Sequence, residues 1–210
     1  VYDLNAEAAA AAVAAGAARV ESAKDAARAA DVLICMLPSS PHVLAAAHGE
    51  DGFIAGLRPG STLIDMSTID PDTTRRLADD VKAAGASMLD APVSGSSAGA
   101  IDGTLTIMVG GEADVFESQL DLFNVLGSTV IHCGPTGMGE TVKLANQLSA
   151  AVSMAGVAEG FAFGLSKGVD PKVLFEVMSK SSGNCWALET RCPVPGVLAN
   201  SPASNDFAAG

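Results

Sequence analysis

Lys143, Asn146 and Gln147 sit three and four residues apart in "ETVKLANQ", a spacing that shares one face if the segment is helical. A lysine amine in an apolar setting has its proton affinity drawn down toward the working range, where it can take or return the proton of an alcohol. The two amides can orient that amine or the group it acts on. A plainer reading stays open, in which Lys143 snorkels from a helix end and does no chemistry.

The stretch "DAPVSGSSAGAIDGTLTIMVGG", Asp90 to Gly111, carries a second possibility. Ser94, Gly95 and Ser96 offer hydroxyl and backbone N–H donors suited to a carboxylate. Gly95-Ser96-Ser97-Ala98-Gly99 also fits the G-x-S-x-G spacing of a hydrolase elbow, which needs a strand, a sharp turn and then a helix. The residues after Gly99 read instead as a turn and a β-branched strand, and His132 is a single downstream histidine. A serine hydrolase is therefore disfavoured. "GPTGMGET", Gly134 to Thr141, has phosphate-loop spacing except that Glu140 stands where the lysine belongs. A carboxylate there would repel the phosphates.

Asp3, at the end of the apolar "VYDL", has two readings. It can accept hydrogen bonds from an adenosine ribose at the end of a strand, or it can cap a helix, a task Asn5 can perform instead.

Composition narrows the classes further. Twelve Lys and Arg against 24 Asp and Glu give a net charge of -12, the wrong sign and distribution for holding a phosphate backbone, so nucleic acid is not an expected partner. No uninterrupted apolar run approaches the ~18 residues needed to span a bilayer, and no membrane partner is expected. Cys35, Cys133, Cys185 and Cys192 form no C-x-x-C pair, which reads as reduced thiols in a reducing compartment: cytoplasm in a bacterium, mitochondrial matrix in a eukaryote. His42, His48 and His132 make no metal-ligand set, and no metal is expected.

These side chains need elements to hold them. "VYDL", "DVLICML", "STLIDMS", "ASMLDAPV", "TLTIMVGG" and "STVIHCG" read as short strands. Between them lie helical stretches over Ala6 to Ala15, Pro41 to Ala47, from Asp70-Pro71 to Gly85, and over Glu112 to Leu126. The alternation predicts an α/β fold with a mainly parallel, Rossmann-like sheet, whose ligand lies beyond the carboxyl ends of the strands. From Gly139 the rhythm gives way to a long apolar helix that needs cover on every face, with Asp170-Pro171 opening the next. The expected division is a dinucleotide-binding domain over residues 1–133 and an all-helical domain over 134–210. Self-association of the apolar helix is expected. The opening "VYDLN" and the closing "NDFAAG" suggest a chain incomplete at both ends, with the first βα unit and part of the helical domain outside it.

Taken together, "VYDLN", "MLPSSPHV", "LIDMSTIDPDT", "DAPVSGSSAGAIDGTLTIMVGG", "GPTGMGETVKLANQ" and "SSGNCWALETRCPVPGV" resemble the β-hydroxyacid dehydrogenases over nearly the whole chain. The Trp186 region points to the branch that acts on 3-hydroxyisobutyrate. The resemblance implies NAD as cofactor and oxidation of a small hydroxyacid, here 3-hydroxyisobutyrate to methylmalonate semialdehyde, as in valine breakdown. Tartronate or succinate semialdehyde reduction is the alternative with the same chemistry, and a non-catalytic fragment the alternative without it. It further implies Lys143 as general base, with Asn146 and Gln147 as site amides, Gln147 standing where many relatives have a second Asn. Ser94, Gly95, Ser96 and Trp186 would meet the substrate. Asp3, Leu37, Pro38, His42 and Thr68 would meet the cofactor, with His42 at a position often filled by Asn.

Overall fold

The computed structural model describes residues 1–207 and divides into two compact units that meet between Lys143 and Leu144. In the first, helices α1 (Ala6–Ala14) and α2 (Ala23–Ala29) precede β1 (Val32–Cys35), and α3 (Ser40–Ala47) leads through a short 3-10 turn to β2 (Thr62–Asp65). Then come α4 (Pro71–Ala83), β3 (Ser87–Asp90), the two-residue β4 (Val93–Ser94), α5 (Ser96–Ile101), β5 (Leu105–Gly110), α6 (Ala113–Ser118), α7 (Leu120–Leu126) and β6 (Gly127–Gly134).

The strands form one mixed sheet in the order β1-β2-β3-β5-β4, with β6 also paired to β5. β1, β2 and β3 run parallel, β5 is antiparallel to β3 and β4, and β6 is parallel to β5. Successive residues feed opposite faces, as the pleat requires. Leu63 and Met88 pack with Val43, Leu77 and Val81 on one side; Ile64 and Leu89 pack with Ile107, Val109 and Phe123 on the other. Both faces are thus covered, which explains why these strands are apolar runs rather than alternating ones.

Local chemistry sets the helix ends. Asn5 caps α1 by accepting the Glu7 and Ala8 N–H groups. Asp70 caps α4 through the Thr73 N–H, Pro71 fills the first helical position, and Gly85 just past the end takes φ +81°.

Three expectations need correction. "VYDL" is not a strand: Val1 donates to the Ala18 carbonyl at 2.5 Å and accepts the Val20 N–H at 3.0 Å, but the pairing stops at that one residue and makes no ladder. Asp3 accepts the Asn5 N–H at 2.7 Å, so it shapes the turn ahead of α1 while Asn5 does the capping. Residues 96–101 form α5, a helix the sequence reading did not give, because Gly95 at φ +140° and Ser96 at φ +59° reverse the chain directly into it; the turn and strand expected after Gly99 follow as Asp102-Gly103 and β5. The stretch over Glu112 to Leu126 is also two helices, broken at Gln119.

The helix α8 (Met138–Ser166) starts in the first unit and continues as the opening of the second. This is the long apolar helix expected from Gly139; with a mean hydropathy of 1.5 over its most apolar window, it is long and apolar enough to cross a bilayer by length and composition. In the second unit, α9 (Pro171–Ser179) is capped by Asp170 and α10 (Trp186–Arg191) follows. Val157, Phe161, Ala187, Leu188 and Cys192 form its core.

Candidate active site

The first turn of α8 is seated on the sheet by an acid at the end of β3. The Asp90 carboxylate accepts the Gly137 N–H at 2.7 Å and the Glu140 N–H at 3.0 Å, filling the role of a cap for a helix end that has no capping side chain of its own. Two glycines allow the approach. A side chain at Gly110 would put its Cβ 2.5 Å from Asp90 Oδ1, and one at Gly139 would strike the Met108 carbonyl oxygen and the Asp90 backbone. Asp90, Gly110 and Gly139 therefore fix where the helix begins, and with it the position of Lys143.

Lys143 is only 7% exposed, and no hydrogen bond or ion pair engages its amine among the described residues. Burial lowers its proton affinity, and the charge of Glu140 opposes that shift. Glu140, one turn earlier, is fully buried and neither carboxylate oxygen has a hydrogen-bond partner. Burial pushes its carboxyl up to about 8; the Ile69 amide, outside hydrogen-bond geometry, lowers it, Asp65 and Asp90 raise it further, and Lys143 lowers it.

Asp65 closes β2 with no exposed surface, its Oδ1 accepting the Ser67 N–H at 3.0 Å and its Oδ2 unpartnered. Burial raises its proton affinity, against the Ser67 bonds and with a contribution from Asp90. Burial likewise raises Asp90, against the N–H groups it accepts. Three acids with a single lysine among them thus occupy the carboxyl ends of β2 and β3 and the first turn of α8.

Sequence reasoning gave neither Asp90 nor Glu140 a site role. Asp90 lies 47 and 50 residues from the amides it holds, a separation no local pattern exposes, and Glu140 entered as the residue that spoils a phosphate loop and as a helical neighbour of Lys143, without a role of its own. The available signal was a run of acids at strand and helix ends.

The other sequence-derived positions divide by unit. Ser94 on β4 faces Thr106 of β5 across the antiparallel pair, Gly95 follows at φ +140°, and Ser96 is exposed at φ +59°. No hydrogen bond engages the Ser94 or Ser96 hydroxyl among the described residues. Ser94 and Asp90 meet the same strand at opposite ends, opposite Thr106 and Gly110 respectively. In the second unit, Asn146 and Gln147 are exposed on α8, and Trp186 is exposed at the start of α10 with the Arg191 guanidinium 5.6 Å from its ring centre.

The cofactor positions form a ledge past β1 and β2. The Leu37 N–H donates to Ser67 Oγ at 2.9 Å, tying the two loops together, while Pro38 and Thr68 are exposed. α3 starts beside them without a side-chain cap, since the Ser39 hydroxyl bonds His42 Nδ1 at 2.7 Å instead. Pro41 has no N–H and the His42 and Val43 N–H groups bond the Ser39 carbonyl, so the Ser40 N–H is what the start of α3 offers a phosphate, and the exposed Pro38 and Thr68 fit a dinucleotide at the carboxyl ends of the strands. Asp3 stands apart in the segment before α1, exposed.

Comparison with known proteins agrees with this geometry. Residues 1–134 match the family model described as the NAD binding domain of 6-phosphogluconate dehydrogenase, and residues 137–209 match the one described as NAD-binding of NADP-dependent 3-hydroxyisobutyrate dehydrogenase. The chain is 46% identical over 210 residues to an NAD-dependent L-serine dehydrogenase of Pseudomonas aeruginosa, covering all of this chain and 70% of that protein. It is 42% identical over 191 residues to the human mitochondrial 3-hydroxyisobutyrate dehydrogenase, covering 91% of this chain and 57% of that one. Among solved structures, Mycobacterium tuberculosis 3-hydroxyisobutyrate dehydrogenase with L-serine superposes with a TM-score of 0.89 at 38% identity, covering 99% of this chain and 70% of that chain. The chain thus spans 57% to 70% of the length of these relatives. Both matched models describe NAD binding, the second in an NADP-dependent enzyme, and the chain uses NAD as a member of the β-hydroxyacid dehydrogenase family, that of the 3-hydroxyisobutyrate dehydrogenases.

Proposed function

We propose that the protein carries out the NAD-dependent oxidation of 3-hydroxyisobutyrate to methylmalonate semialdehyde. The observation that carries the reading is Lys143: a largely buried lysine whose amine has no hydrogen-bond or ion-pair partner among the described residues, on a helix turn fixed by Asp90. Such an amine is short of solvation and can accept the proton of a substrate hydroxyl as its O–H bond breaks. When bound, NAD supplies a hydride acceptor. Leu37, Pro38, His42 and Thr68 hold it at the strand ends, and Asp3 is assigned to its ribose. Ser94, Gly95 and Ser96 take the substrate carboxylate with their free hydroxyls and backbone N–H groups. Asn146 and Gln147 are assigned to orienting the reacting group, and Trp186 to the substrate.

L-Serine is the second substrate reading, favoured by the relative and the solved structure whose names carry it. It is also a β-hydroxyacid, so Lys143 would play the same part. The two readings separate in a side-by-side measurement of kcat/KM on the full-length protein with NAD. Preference for 3-hydroxyisobutyrate is the expected result, and a tenfold or greater preference for L-serine or for glycerate, the alcohol that tartronate semialdehyde reduction yields, replaces the substrate. Exposed apolar side chains along α8, among them Leu148, Val152 and Phe163, support self-association.

A further inference from the structure

We infer that Glu140 is a positioning residue that acts through Lys143, its carboxylate stabilising the ammonium formed when the lysine takes the substrate's proton; this rests on the reading of Lys143 as the base.

The inference comes from placement. Glu140 precedes Lys143 by three residues, so the two side chains share a helix face. Glu140 has no exposed surface and no hydrogen-bond partner for either oxygen, which is an expensive way to bury a carboxyl unless a charge nearby repays it. The other two acids each accept backbone amides, Asp65 through one oxygen only. Asp90, from β3, holds the start of the helix, and Asp65, from β2, accepts the Ser67 amide with the Cys35 thiol beside it. Arg75, from α4, lies against Gly137, but its guanidinium is paired with Asp72 at 2.6 Å. Lys143 is the one cation that acts on Glu140.

The two side chains make no ion pair within 4.0 Å, so the coupling acts through space. An ammonium generated in this buried position, with no acceptor of its own, is disfavoured by lost hydration. Above about pH 8, where Glu140 is ionised, its carboxylate one turn away offsets that cost at the moment the proton arrives, because the amine gains charge only then. The direction of each shift agrees: burial lowers the lysine and Glu140 raises it.

The test is Glu140→Gln in the full-length protein, which keeps shape and removes charge. The rising limb of the kcat/KM pH profile should move to lower pH by about one unit, the low end of what an adjacent opposite charge contributes. The plateau should fall several-fold because the amine is a weaker base, and Glu140→Asp should restore part of the limb. A profile that superimposes on wild type, or a limb that moves to higher pH, overturns the inference. The 15N resonance of the Lys143 amine, assigned by its loss in Lys143→Ala, gives a readout without turnover and without the variant having to fold. In the wild-type protein it should titrate in two steps, one as Glu140 ionises and one as the amine itself does; a single step overturns the coupling. Near-normal turnover by Lys143→Ala would remove the lysine from the mechanism even where that coupling is seen. An inactive Lys143→Ala with an unmoved Glu140→Gln profile removes only the inference made here.

Discussion

The Asp90 carboxylate holds the Gly137 amide at 2.7 Å and, through its other oxygen, the Glu140 amide at 3.0 Å. One side chain at the end of a strand thereby sets the start, and so the rotation, of the helix that carries Lys143. Replacing Asp90 by Ala should cost about 1–3 kcal/mol of stability, the range for a lost helix cap and stranded buried donors. Asp90→Asn, which keeps one acceptor oxygen, should cost less. Urea unfolding of the two variants checks the order, and equal losses would deny the cap its role.

Lys143→Ala should lower kcat by about 10²-fold or more while NAD still binds, because proton transfer alone loses its partner. Steady-state kinetics together with cofactor titration separate the two effects. Loss of NAD binding with unchanged turnover at saturation would point to a cofactor contact instead.

Glu140 also predicts how stability depends on pH. Its folded carboxyl holds a proton more tightly than the unfolded one, rising from 4.5 to about 8. The stability it contributes is thus fully present below the unfolded value and is lost as pH rises through the folded one. Asp65 and Asp90 are shifted in the same direction. Lys143, lowered on folding, works oppositely and gains with rising pH. Comparing wild type with Glu140→Gln isolates the glutamate: the wild type should lose more stability than the variant between about pH 5 and about pH 9. Parallel curves from denaturant unfolding would place the glutamate outside this linkage.

Ser96 occupies the left-handed region at φ +59° immediately after Gly95 at φ +140°. A β-branched side chain fits there poorly, so Ser96→Val should destabilise by roughly 1–2 kcal/mol, and Ser96→Gly should be tolerated. Thermal unfolding decides it. A Val variant as stable as wild type would mean that the turn relaxes around the new residue.

The sheet was legible because its strands are short apolar runs bounded by Gly, Pro and Asp, and because Asn5, Asp70 and Asp170 announce helix starts by local hydrogen bonding. β1, β2, β3 and β5 fall within runs read from the sequence, and β6 does so but for its first residue, Gly127. The failures lie where non-local forces decide. Val1 to Leu4 has strand composition but lacks a neighbour to complete a ladder, and α5 forms because Gly95 and Ser96 supply backbone angles that composition does not reveal. Lys143 stood out as a charge in an apolar helix. The acids that surround it did not, since Asp65, Asp90 and Glu140 come from three elements that only the folded chain brings together.

The acid at the end of β2 has an effect on its neighbour across the sheet. Burial, with the Asp65 charge behind it and the Ser67 hydroxyl opposing, pushes the Cys35 thiol up to about 12. Alkylating reagents act on thiolates, so at neutral pH this sulfur is protected twice, by packing and by protonation, while the partly open Cys133 and Cys185 are at least reachable. Slow modification of Cys35 therefore serves as a clock, timing how often the parallel part of the sheet breathes open.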